Sequence, residues 1–336
     1  MSRVAIIGAG AWGTALSIVL GRRDGHQVCL WAYEDEVSRS IADHRRNDLF
    51  LPDYAIPPVV EVTNDLSTAL HNAEIVLSVM PSHHARALFR EIAPHLTPKM
   101  LLVSATKGIE NDTLKRMSEI IEETVAETCR FAPRVAALSG PSFAKEVARG
   151  DPTAITVASR DGELATTVQR EFSDQTFRVY TNDDVVGVEL GGSLKNVIAI
   201  AAGVVEGLGL GHNTAAALIT RGLTEITRLA VACGARRETM AGLAGMGDLV
   251  LTCTGGLSRN RTVGVELGRG RKLRDIMADM HGMVAEGVLT TNAAMGLAQR
   301  YSVEMPITEQ IYAILHEEKS PKEAIRELMA RPGKVE

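Results

Sequence analysis

Cysteine is sparse in this chain. Cys29, Cys129, Cys233 and Cys253 are scattered, and no two stand at C-x-x-C spacing. That excludes the common zinc and thiol-redox motifs, and isolated thiols of this kind fit a reducing compartment, so a cytoplasmic location is expected. No H-E-x-x-H pattern occurs. Only His83 and His84 are adjacent, and neighbours on a helix do not share a face, so no metal site is expected. Excess basic charge is missing too: 36 Lys and Arg stand against 41 Asp and Glu, a net charge of −5. This excludes a broad nucleic-acid or anionic-membrane surface, and any anion site must be local. Long apolar runs are also lacking. Val4 to Leu20 is broken by Gly8, Gly10 and Gly13 and reads as strand, turn and helix rather than an export signal. Leu190 to Val205 is sixteen residues and carries Lys195 and Asn196, which reads as too short and too polar to span a bilayer. No membrane insertion is expected.

What is present is a change of period. Up to Asn182, apolar strand-like segments alternate with helical ones: Arg3–Ile7, Gln27–Trp31, Glu74–Val79, Met100–Ala105, Val135–Leu138, Ile155–Ala158 and Phe177–Tyr180 as strands, Trp12–Arg22 and Glu34–Asn47 as helices. Alternation of this kind predicts an α/β fold, a mainly parallel, doubly wound sheet of the Rossmann type. From Asp183 onward the periodicity is helical. The sequence therefore predicts a dinucleotide-binding domain over residues 1–185 and an all-α substrate-binding and catalytic domain over 186–336.

Gly8-Ala9-Gly10-Ala11-Trp12-Gly13 is a G-x-G-x-x-G that follows a strand and opens a helix, the context in which the pattern is informative. Gly8 permits a tight turn, Gly10 lets a pyrophosphate approach the backbone, and Gly13 lets the helix pack on the strand. The helix N-terminus then offers free N–H groups to an anion. At the end of the second strand stands Tyr33-Glu34-Asp35, with Glu34 twenty-one positions after Gly13 and no Arg or Lys before Arg39. A carboxylate there accepts from the ribose hydroxyls and repels a 2′-phosphate, which favours NAD over NADP. The alternative is that Glu34 and Asp35 are simply the acidic first turn of a helix.

In the second half, Lys195 is the one ionisable residue between Leu190 and Val205. A lysine in so apolar a helix is desolvated, which suits acid–base work, and Gly191 and Gly192 one turn before it predict an open notch for a ligand. The alternative is a lysine whose stem snorkels to the surface. Asp248, after Gly242-Leu-Ala-Gly-Met-Gly247, reads equally as a site carboxylate or an ordinary helix N-cap. Ser258-Arg259-Asn260-Arg261 reads as a phosphate fork or a solvated basic turn.

Taken together these segments resemble bacterial-type NAD(P)-dependent glycerol-3-phosphate dehydrogenases, nearly end to end. The resemblance rests on Gly8-Ala-Gly-Ala-Trp-Gly-Thr-Ala-Leu16, Ser104-Ala-Thr-Lys107-Gly-Ile-Glu110, Leu138-Ser-Gly-Pro-Ser142, Val188 to Asn196, Gly245-Met-Gly-Asp248-Leu, Ser258-Arg-Asn260 and Val284-Ala-Glu286-Gly-Val288. It implies a helical domain like that of 6-phosphogluconate dehydrogenase, with Lys195 as general acid/base. It further implies Lys107 beside the substrate and cofactor, and Asp248 completing the catalytic group. Gly140, Ser142, Ser258, Arg259 and Asn260 would line the substrate site. Ala11, Trp12, Phe50, Ala144, Arg259, Val284 and Glu286 would contact the cofactor together with Gly8, Gly10, Gly13, Tyr33 and Glu34. A role in glycerophospholipid synthesis and a homodimer are also implied. Tyr33-Glu34 stands where many relatives have His-Arg, Ala11 where many have Ser, and Phe50 where Tyr is frequent. Another two-domain hydroxy-acid or sugar-acid dehydrogenase and a non-catalytic dinucleotide sensor are the competing readings.

Overall fold

The structure is a computed structural model that describes residues 2–280 and 285–333. Contacts divide the chain into two compact units. One holds the residues up to Lys107 together with Lys115–Glu189; the other holds Gly108–Leu114 together with the residues from Leu190 on.

The first unit is built on an eight-stranded sheet in the order β3-β2-β1-β4-β5-β6-β7-β8. The strands are β1 (Arg3–Ile7), β2 (Gln27–Trp31), β3 (Val60–Thr63), β4 (Ile75–Ser78), β5 (Leu101–Ser104), β6 (Arg134–Ser139), β7 (Thr153–Ala158) and β8 (Phe177–Asn182). All neighbours pair in parallel except β6 with β7. Strand β1 is central: Val4 faces Val28 on one side and Ile75 on the other. Both sheet faces are covered, so the strands are apolar throughout rather than alternating. Val4 and Ile6 enter one core with Leu16, Val19 and Leu30; Ala5 and Ile7 enter the other with Phe89 and Ile120. Chain order reverses between β1 and β4, which opens the crevice where such sheets bind ligands.

The expected α/β class and mainly parallel sheet are what the structure has. Strand β3 escaped the sequence reading because its pattern, Val60-Glu61-Val62-Thr63, is short and follows two prolines. It is an edge strand, where polar residues are tolerated.

The second unit is helical. Its spine is Val185–Gly207, a helix of 23 residues that begins in the first unit. By length and composition this helix could cross a bilayer, which corrects the expectation that it is too short and too polar; 94% of its most apolar stretch is buried inside the protein. Glycines set its packing. A Cβ on Gly264 would run into the backbone of Ile200 and Gly203, and one on Gly268 into that of Val204 and Gly207. The spine and the helix Arg259–Gly268 therefore cross with backbone against backbone. The short elements Arg237–Met240, Leu243–Gly247 and Asp248–Thr254 were not foreseen, because Gly-rich sequence argues for a loop. Glu225, 2% exposed, accepts from the N–H groups of Ile307 and Thr308 and so caps the helix Pro306–His316.

Replacing Gly264 with Ala should force these helices apart and cost about 1–3 kcal/mol. The check is urea unfolding, with a lower midpoint and an unchanged slope; a midpoint equal to wild type would show that the crossing can relax.

Candidate active site

In the first unit the predicted residues gather where β1, β4, β5 and β6 end. Gly8 has φ +118°, and a Cβ there would strike the carbonyl of Val79; one on Gly13 would strike that of Gly8. At these two places only glycine fits. Gly10 is different: a Cβ there would meet nothing within 4 Å, so its backbone faces open space. Gly10 is also the N-cap of the helix Ala11–Gly21, whose first turn holds no acidic residue. Together these make an anion cradle of N–H groups with a favourable helix dipole. Ala11 and Trp12 open the helix, and the Trp12 ring lies against Phe177 of β8, centroids 6.5 Å apart.

Tyr33 is 78% exposed, edge-on to Trp31. Glu34 is the N-cap residue of the helix Asp35–His44 and makes no side-chain cap bond, whereas Asp35 accepts from Asn64 at 2.7 Å. Glu34 therefore stands before the helix, not in its first turn, and is exposed. Phe50 packs against the core beside the glycine-rich loop.

Thr106 ties the loop after β5 to the loop after β4, donating to the Met80 carbonyl at 2.9 Å. The next residue, Lys107, donates to the Gly140 carbonyl at 2.8 Å and lies 3.5 Å from Ser142 Oγ, which also donates to Gly140 at 2.9 Å. Gly140 has φ +140°, and a Cβ would meet Ile155 Cα at 2.9 Å. Lys107, Gly140 and Ser142 thus form one cluster, and Ala144 begins the short helix Ala144–Arg149 just beyond it.

The second unit holds the other cluster. Lys195 is buried, and its Nζ donates to Asp248 Oδ1 and to Thr252 Oγ1, each at 2.6 Å. Asp248 is 1% exposed. It is the first residue of Asp248–Thr254, with Gly247 in the cap position, so it is not the N-cap that the sequence allowed. Thr252 also donates to the Asp248 carbonyl at 2.7 Å. Asp248 and Thr252 are four apart and share a helix face, a spacing from which Thr252 could have been found. The expected notch at Gly191 is filled by protein: a Cβ there would meet Ala244 O at 2.6 Å. That glycine admits the turn Leu243–Gly247, which carries Asp248 to the lysine.

Ser258 is 4% exposed and caps the helix Arg259–Gly268, its Oγ accepting from the Arg261 N–H at 3.2 Å. It is therefore built into a helix start and is not part of a solvated turn. Asn260 donates to Asn196 Oδ1 and accepts from the Gly287 N–H, both at 2.9 Å. This relay fixes Ser258–Asn260 and the start of the helix Glu286–Tyr301 against the lysine helix. Arg259 has exposed surface, yet its pKa is lowered by desolvation from crowding atoms, with Glu286 pulling the other way. Both belong to this cluster. Val284 lies outside the described residues. Sequence alone does not single out Thr252, and Asn196 stands out only as the end of the Val188–Asn196 motif.

A doubly wound sheet with a glycine-rich first turn, followed by a helical unit with a buried lysine, is the architecture of a Rossmann-type, two-domain dehydrogenase. Comparison with known proteins gives the family. Residues 3–165 match the family described as NAD-dependent glycerol-3-phosphate dehydrogenase N-terminus, and residues 184–326 the corresponding C-terminus. The chain belongs to that family. It is 71% identical over 336 residues to a glycerol-3-phosphate dehydrogenase [NAD(P)+] of Koribacter versatilis, covering 100% of this chain and 99% of the relative. It is 57% identical to one of Acidobacterium capsulatum, with 100% of each covered. The crystal structure of glycerol-3-phosphate dehydrogenase from Coxiella burnetii superposes with a TM-score of 0.93 at 40% identity, covering 98% of this chain and 99% of that one.

Removing one partner of a buried ion pair leaves the other charge uncompensated. Lys195→Met and Asp248→Leu should each cost about 3–5 kcal/mol, and the double variant should regain much of that loss. Denaturant unfolding of the four proteins decides it; strictly additive losses would mean the pair is not coupled.

Proposed function

We propose that this protein is an NAD(P)-dependent sn-glycerol-3-phosphate dehydrogenase, interconverting glycerol 3-phosphate and dihydroxyacetone phosphate by reversible hydride transfer at C2. The observation that carries the proposal is the buried Lys195 held at 2.6 Å by both Asp248 and Thr252 in a chain of this family. A nicotinamide dinucleotide bound to residues 1–185 supplies the hydride acceptor or donor. The fit is supported by the open backbone at Gly10 and the uncapped helix start behind it.

In the oxidation direction, Lys195 Nζ takes the proton of the C2 hydroxyl. Asp248 and Thr252 hold that nitrogen in one place and balance the ammonium once it forms. Lys107 would lie beside the reacting oxygen and stabilise negative charge on it, with Gly140 and Ser142 bounding the same subsite. On the helical side, residues 186–336, Ser258, Arg259 and Asn260 would take the phosphate. Asn260's role is in large part to position: its amide is already engaged by Asn196 and Gly287. The Ser258 cap uses a lone pair, so its O–H is still available to donate. Ala144, Val284 and Glu286 would contact the cofactor.

The ribose end favours NAD. Glu34 would accept from ribose hydroxyls, while Arg39 pairs with Asp35 and Arg45 donates to the carbonyls of Ile56, Pro57 and Val60. Supply of glycerol 3-phosphate to phospholipid synthesis in the cytoplasm, by a homodimer, completes the reading.

The test is initial-rate oxidation of NADH and NADPH with dihydroxyacetone phosphate. NADH should be the better substrate, and Glu34→Arg should shift the kcat/KM ratio toward NADPH by about tenfold or more. In the reverse assay, kcat/KM for glycerol 3-phosphate should rise with pH, because the base must be neutral to accept a proton. No turnover with either cofactor would refute the substrate assignment, and a ratio unmoved by Glu34→Arg would refute the ribose contact.

A further inference from the structure

The proposed mechanism makes no use of Asn47, yet this side chain is 0% exposed and sits against the glycine-rich loop. Its amide nitrogen donates to the Ala9 carbonyl at 2.7 Å and to Thr14 Oγ1 at 2.8 Å, and its oxygen accepts from the Phe50 N–H at 3.0 Å. Thr14 Oγ1 reaches the same Ala9 carbonyl at 3.3 Å. The amide's orientation follows from the partners: a carbonyl needs a donor, and an N–H needs an acceptor. The Asn47 backbone also accepts from Leu51 N at 2.9 Å, closing the turn that carries Phe50.

Ala9 is the residue between the two glycines of Gly8-Ala9-Gly10. In a planar trans peptide, the C=O of one residue and the N–H of the next point in opposite directions. Holding the Ala9 carbonyl inward therefore directs the Gly10 N–H outward, away from Asn47 and toward the open side of the loop, where a Cβ on Gly10 would meet nothing. The same amide fixes the backbone of Phe50, 47 and 50 being bridged across one turn.

We infer that Asn47 is a positioning residue for the dinucleotide: one buried amide sets both the pyrophosphate-facing peptide of the loop and the Phe50 ring that would pack on the adenine. This rests on the cofactor reading given above. It predicts that Asn47 acts on cofactor affinity and not on the chemistry at Lys195.

Asn47→Asp keeps the shape and the acceptor for Phe50 N–H but replaces both donors with a carboxylate oxygen facing the Ala9 carbonyl. Calorimetric titration with NAD+, or with NADP+ if the wild type prefers it, should show Kd raised about tenfold or more at pH 8. As pH falls, the carboxyl gains a proton and can again donate to Ala9, so the Kd of the variant should fall back toward wild type while the wild-type value stays flat. In steady state the cofactor KM should rise, and kcat and the dihydroxyacetone phosphate KM should stay within about twofold. Thr14→Val, which removes the second partner of the amide nitrogen, should give a smaller loss in the same direction if Asn47→Asp does not fold. Ile41→Val, a cavity in the same core, reports what loosening alone does and should leave Kd unchanged. Cofactor affinity of Asn47→Asp equal to wild type at pH 8 overturns the inference, as does a parallel rise in both KM values. A wild type that binds neither dinucleotide overturns the cofactor reading itself.

Discussion

A lysine can stay in the middle of an apolar helix only if something meets its charge, and here Asp248 does so. The pair is buried on both sides, and isolated charges in such surroundings cost several kcal/mol each. Much of the helical unit serves this contact. Gly191 lets the backbone at Ala244 come close enough to bring the next turn, and Asp248 with it, to the lysine. Gly203, Gly207, Gly264 and Gly268 let the following helix cross the same spine at backbone distance, which places Ser258 and Arg259 at the spine's side. The Asn196–Asn260–Gly287 relay then secures Glu286 to the same frame.

The sheet unit solves its problem with the same means. Phosphate recognition by backbone N–H groups requires peptides to be exposed, correctly turned and rigid at once. Gly8 and Gly13 give the turn, Gly10 the exposure, and the buried Asn47 amide the rigidity. Nearby, Gly140 adopts a left-handed conformation against Ile155 and offers its carbonyl to Lys107. In both units a lysine is oriented by specific partners on neighbouring elements. Lys195 is held by side chains, and Lys107 by a carbonyl and a hydroxyl.

Much of this was legible in the residues. Strands β1 and β2 were read at their observed limits because apolar runs ended by Gly and polar residues leave little freedom. The lysine helix stood out because one cation interrupts an otherwise apolar run. What could not be read follows a physical pattern. β3 is a short polar edge strand whose identity comes from pairing with β2. The Leu243–Gly247 turn is made of residues that favour loops and finds room because Gly191 and Gly245 lack the Cβ atoms that would strike Ala244 and Met240. The notch at Gly191 was misread because a missing Cβ says that something approaches closely, and not whether it is ligand or protein. Asn47 gave no signal, since a buried amide looks in sequence like any polar loop residue.

The central claim is that Lys195 moves the proton while hydride passes to or from C2 of the triose phosphate. The direct measurement is transfer of label: NADH deuterated at C4 on both faces, dihydroxyacetone phosphate, and mass analysis of the product. One deuterium at C2 of glycerol 3-phosphate is expected with the wild type, and a rate lowered by at least about 10²-fold in Lys195→Ala. Absence of deuterium at C2, or a variant that transfers it as fast as wild type, would contradict the claim.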